Sequence, residues 1–167
     1  MHTLYLLSVF LHIVAAIIWV GGIAFLVLVL VPWLRRNGKS MAPSFLRDTG
    51  LRFRKVGWHC FAVLVLTGSF NLWVRGVSWK SFLDPQWRSS PFGHAVLAKL
   101  ALFAAILSVS LVHDFMVGPQ ATRALLAGAP PSYVNGLRTK ATVLGRLNGL
   151  LALAIVLAAV VLVRGAP

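Results

Sequence analysis

The chain has 167 residues, 59% of them apolar and only 11% charged, against roughly 25% charged in soluble domains. Glutamate is absent, the acidic residues are Asp48, Asp84 and Asp114, and the mean hydropathy is +0.85. A soluble fold leaves too much surface exposed to hide this composition, a disordered chain would be polar, and the single Cys60 excludes a disulfide framework or a Cys-rich zinc module.

An integral membrane protein of one domain is the class that remains. The net charge of +13 would point to nucleic acid on a soluble protein. Here the Lys and Arg residues gather in short connections between uncharged runs, which suits anionic headgroups and membrane topology. No nucleic-acid motif is present, so no nucleic-acid partner is expected.

Four apolar runs predict an all-α, four-helix transmembrane bundle, with helices at approximately 4–31, 56–75, 92–117 and 142–164. Each reaches the ~20 residues that span ~30 Å of hydrocarbon. The first run is too long for a signal-peptide core and lacks a basic segment before it. Breakers mark the connections: Pro32, Asn37-Gly38, Pro43, Pro85, Pro91, Gly118-Pro119 and Ala129-Pro130-Pro131.

Loop one carries seven cations: Arg35, Arg36, Lys39, Arg47, Arg52, Arg54 and Lys55. Loop three carries Arg123, Arg138 and Lys140, with Arg146 just behind; the middle loop has Arg75, Lys80 and Arg88. The positive-inside rule puts loops one and three in the cytoplasm and both termini outward, toward the periplasm. Small residues (Ala15, Ala16, Gly21 and Gly22 on span one; Ala98, Ala101, Ala104 and Ala105 on span three; Gly145 and Gly149 on span four) are expected to let helices approach closely.

Ionisable groups inside a bilayer are costly, so each is a functional hypothesis. His12, His59, Lys99, His113 and Arg146 qualify, and His94 sits at a helix start. From the helical rise, His12 and Lys99 lie on the order of 8 to 10 Å to the outer side of their span centres. His59 and His113 lie about as far to the inner side. Two layers follow: His12 with Lys99 or His94 outside, and His59 with His113, joined by Arg146, inside. Lys99, Ile106, Ser110 and His113 share one stripe of span three.

Two imidazoles at one depth on different helices suit a b-type haem, each giving one nitrogen to the iron. One or two haems are therefore expected, with Arg146 among the cations near the propionates. The protein would carry electrons in or across the inner membrane, as a b-type cytochrome or oxidoreductase, with a redox partner or a quinone. Each residue also has a plainer role: His59 as a helix contact, His113 paired with Asp114, and Lys99 and Arg146 reaching toward headgroups. Copper is the alternative cargo, with His12, His59, His113 and Met116 as ligands. His113 and Met116 are three apart on one face, and soft ligands favour Cu(I). A third reading is a membrane subunit that anchors a partner. Self-association into a homo-oligomer is left open.

The segments LHIVAAIIWVGG (11–22), RFRKVGWHCFAVLVLTGSFNLW (52–73), GHAVLAKLAL (93–102), VHDFMVGP (112–119) and GRLNGLL (145–151) touch all four spans. Through them the chain resembles the copper-resistance D (CopD) family, and more distantly the HemJ-type protoporphyrinogen oxidases. The resemblance implies functional positions at His12, Lys99, His113, Arg146 and Asn148. In HemJ-like proteins the first-span histidine and third-span lysine correspond to haem and activity positions. CopD relatives imply copper handling, with uptake across a bacterial inner membrane. His59 lies outside both family patterns and would form an inner bis-histidine site of its own.

Overall fold

The computed structural model describes residues 1–37 and 42–164; Gly38 and Lys39 of loop one lie outside the described residues. The described residues are helical apart from short turns and contain no strand. Helices satisfy their own backbone hydrogen bonds, which is what a hydrocarbon environment demands. Four of them are long and apolar enough to cross a membrane: His2–Leu34, Arg47–Val74, Pro91–Leu126 and Pro131–Leu162. Large apolar side chains such as Leu28, Leu66, Leu150 and Leu157 stay outside the packed interior, at 66 to 72% exposure. That pattern is ruinous in water and ordinary against acyl chains.

The chain forms two compact units, Met1–Leu83 and Asp84–Pro167. The first begins with α1 (His2–Phe25), a π-helical segment (Leu26–Leu30) and α2 (Val31–Asn37). It continues with α3 (Ala42–Val74) and a 3-10 turn (Ser81–Leu83). The second holds α4 (Pro85–Ser89), α5 (Pro91–Leu111), a π-helical segment (Val112–Val117), α6 (Gly118–Leu126) and α7 (Pro131–Arg164).

Two of the breakers do not break. Pro32 and Pro119 both sit inside continuous helical paths. A proline lacks an N–H, and its ring clashes with the carbonyl four residues earlier. Those carbonyls belong to Leu28 and Phe115, and each lies inside a π segment. The wider π turn moves the carbonyl aside, so the helix continues. The signals at Pro85, Pro91 and Ala129-Pro130-Pro131 act as sequence reasoning expects, with Pro85, Pro91 and Pro131 each opening a helix. Asp84 caps α4, its side chain accepting from the Gln86 N–H at 2.9 Å, with Pro85 opening the helix. Ser90 caps α5 through the Gly93 N–H at 3.0 Å. Gly76 (φ +78°) and Gly128 (φ +65°) take the left-handed conformation that ends α3 and α6.

In the first unit α1 and α3 pack antiparallel. Gly22 meets the Phe53 ring, Gly57 meets Trp19, Gly68 meets His12, and Arg75 Nε donates to the Tyr5 hydroxyl at 3.2 Å. Rising numbers on one helix thus meet falling numbers on the other. The seam is closed by Ala15, Trp19, Cys60 and Phe61, all buried, with the Trp19 and Phe61 rings 5.0 Å apart. Of the small residues expected at helix contacts, Gly22 gives its Cβ space to Phe53. Among the described residues nothing lies within 4 Å of a Cβ placed at Gly21 or Gly145.

In the second unit α5 packs on α7 through Val96, Ile106, Ser110 and Ala152, all buried. The short amphipathic α6 lays Ala124 on Val134 and Leu137 of α7. The α4–α5 corner is tight. Ser90 Oγ donates to the Trp87 carbonyl at 2.6 Å, and that carbonyl fills the place a Cβ at Gly93 would need.

Three outcomes check this packing. Gly93→Ala must push the pinned Trp87 carbonyl aside and should cost about 1–3 kcal/mol, seen as a lower unfolding temperature in detergent. Gly136→Ala, with nothing within 4 Å of the added methyl, should be neutral or slightly stabilising. Cys60, 6% exposed, should resist a maleimide in the folded protein and react once the chain is unfolded in SDS.

Candidate functional site

His12 lies on the face of α1 that meets α3, half-buried between the two helices. Its Nδ1 is 2.8 Å from Thr67 Oγ1. The Thr67 hydroxyl donates to the Val63 carbonyl one turn earlier, at 2.6 Å. Ser8, one turn before His12, donates from Oγ to the Thr67 carbonyl at 3.4 Å. Gly68 leaves room for the imidazole: a Cβ there would stand 3.4 Å from His12 Cε1, in ordinary contact. One turn beyond Thr67, Asn71 Oδ1 is buried without a hydrogen-bond partner. The outcome is a polar ladder, Ser8 and His12 on one helix and Thr67 and Asn71 on the other, inside an apolar hairpin.

His59 is placed differently. It is exposed, and its Nδ1–H donates to the Lys55 carbonyl of its own helix at 2.7 Å. The inward face of α3 is instead Gly57, Cys60, Phe61 and Thr67. His12 packs against Gly68, nine residues along α3 from His59, or roughly 13 Å of rise. Within the first unit the two histidines therefore do not converge.

The second unit holds the other residues singled out in the sequence. Ile106 and Ser110 are buried, at 0% and 4% exposure, and Lys99 and His113 are half-buried, so the expected stripe faces inward. His113 lies in the π segment with Nδ1 2.8 Å from Asp114 Oδ1, the local pair weighed in the sequence. Met116 shares that segment and is exposed. A π turn, closed by i→i+5 bonds, spreads residues three apart further round the axis than an α turn does. His94 is exposed in the first turn of α5, and Arg146 is exposed on α7. Asn148 Nδ2 donates to Ser110 Oγ at 2.7 Å, tying α7 to α5, while its Oδ1 is buried without a partner.

Among the described residues no three His, Cys, Asp or Glu side chains converge on a point that could hold a metal. The donors occur singly or in pairs along the spans. Sequence reasoning missed Ser8, Thr67, Asn71 and Ser110 as partners. Their signal was present: polar residues spaced i, i+4 within apolar runs, as in Ser8/His12 and Thr67/Asn71.

The family model for copper resistance protein D matches residues 47–163. An uncharacterized protein of Aquifex aeolicus is 31% identical over 115 residues, covering 69% of this chain and 71% of that one. The copper transport protein CutJ of Bacillus subtilis is 31% identical over 118 residues, covering 71% of this chain and 20% of CutJ. The matched part is thus about a fifth of CutJ. No solved structure matches. The family description and the name of the Bacillus subtilis relative support the copper-related reading over the haem b electron carrier that paired histidines suggest. The chain belongs to the copper-resistance D family and is a copper-related, multi-pass protein of the bacterial inner membrane.

Proposed function

We propose that this protein carries copper across or within the inner membrane, with the ion as cargo and His12 as its principal intramembrane ligand. The observation that carries the reading is the setting of His12. A spanning helix holds an imidazole at a helix–helix seam, backed by Thr67 and roomed by Gly68, where an ionisable group is costly without a purpose. Family membership and the name of the Bacillus subtilis relative supply the metal. Imidazole suits copper and thioether suits Cu(I), so His113 and Met116 serve as further transient ligands. Ligands spaced singly fit a cargo that must be released as well as bound.

Purified protein in detergent should bind Cu(I) in competition with a chromophoric chelator. His12→Ala should weaken that binding at least tenfold, while His94→Ala, at the helix start, should leave it unchanged. Metal analysis finding iron and no copper in protein expressed with both would overturn the reading.

The orientation belongs to the same proposal. The cation-rich loops face the cytoplasm and both termini face outward. An alkaline phosphatase fused at the C-terminus should be active; a fluorescent cytoplasmic reporter at that end would reverse the topology.

A further inference from the structure

We propose that Thr67 is a positioning residue that fixes the tautomer of His12, so that Nε2 is the nitrogen offered to copper. The proposal rests on the copper reading above for its ligand. Its structural half stands apart from that reading.

The proton count follows from two bonds that share one oxygen. A backbone carbonyl can only accept, so the 2.6 Å bond from Thr67 Oγ1 to the Val63 carbonyl consumes the single hydroxyl proton. His12 Nδ1 stands 2.8 Å from that same oxygen. The proton of this second bond must come from the ring, so Nδ1–H donates to Thr67 Oγ1. A neutral imidazole carries one N–H and one lone pair. With the proton on Nδ1, the lone pair is on Nε2, the ring atom turned away from Thr67.

Thr67 is itself held still. It is 9% exposed, and its carbonyl accepts from Ser8 one turn before His12 on the facing helix. A threonine bonded back to the carbonyl four residues earlier keeps one rotamer. The ring lies over Gly68, in van der Waals reach of the place a Cβ would take there. Val63, Thr67 and Gly68 on one helix thus aim an imidazole rooted on the other. Metal-binding histidines are commonly arranged this way, the second nitrogen donating to a fixed acceptor that sets orientation and basicity. Loss of that acceptor typically costs about 10–100-fold in metal affinity.

The test uses the full chain in lipid nanodiscs, with Thr67→Val removing the hydroxyl at nearly constant shape and Thr67→Ser restoring it. The first readout is the 15N spectrum of the His12 imidazole in copper-free protein. The wild type and Thr67→Ser should show a protonated Nδ1, and Thr67→Val should lose that single form. The second is Cu(I) affinity, which should fall about 10–100-fold in Thr67→Val and recover in Thr67→Ser. A wild-type spectrum with the proton on Nε2 overturns the proposal, even if the valine variant folds poorly. So does a Thr67→Val variant with wild-type spectrum and affinity. Failure of the copper reading is seen separately, as His12→Ala binding Cu(I) as well as the wild type.

Discussion

Hydrocarbon offers no hydrogen bonds, so each polar group carried into a spanning helix must find a partner within the protein. Much of the local structure follows from that constraint. Hydroxyls turn back onto the carbonyl one turn earlier, as in Ser108 to Ala104, Thr122 to Gly118 and Thr142 to Arg138. His59 does the same through its ring nitrogen. Where a polar group cannot be satisfied on its own helix, it becomes a tie between helices. His12 with Thr67 joins α1 to α3, and Asn148 with Ser110 joins α5 to α7. Both ties are accompanied by a buried asparagine oxygen without a protein partner, at Asn71 and at Asn148 itself. Buried acceptors of this kind cost free energy, so polarity here is concentrated at the two seams.

The four spans were legible because length and hydropathy alone decide whether a helix crosses a bilayer. The inward stripe of α5 was legible too, since Ile106 and Ser110 follow from a 3.6-residue period. Pro32 and Pro119 were misread as ends, because sequence rules weigh the clash a proline creates and not the backbone's means of absorbing it. The π segments at Leu26–Leu30 and Val112–Val117 are that means. Periodicity also assigns a face without saying what stands opposite. It could place His12 on a helix, but not against Thr67, because that pairing depends on the antiparallel register set by Gly22, Gly57 and Gly68.

The haem expectation shows the same gap. Equal depth is a distance along an axis and carries no information about direction. His59 shares an inner depth with His113, yet its ring is tied to its own helix and exposed, whereas His12 is turned into a seam. The motif resemblance to copper-resistance D proteins held over residues 47–163, which take in the four segments from 52 onward and leave out the first, at 11–22.

The π segments also bear on how such a chain tolerates change in length. A π turn holds a surplus residue within an otherwise α-helical path. Beside Pro32 and Pro119 that surplus is lodged against a ring which keeps it in place. Loss of one residue from either stretch would close the π turn into an α turn and draw the neighbouring carbonyl back onto the proline. Single-residue gaps among relatives should therefore fall in these two stretches only where the proline has been replaced as well.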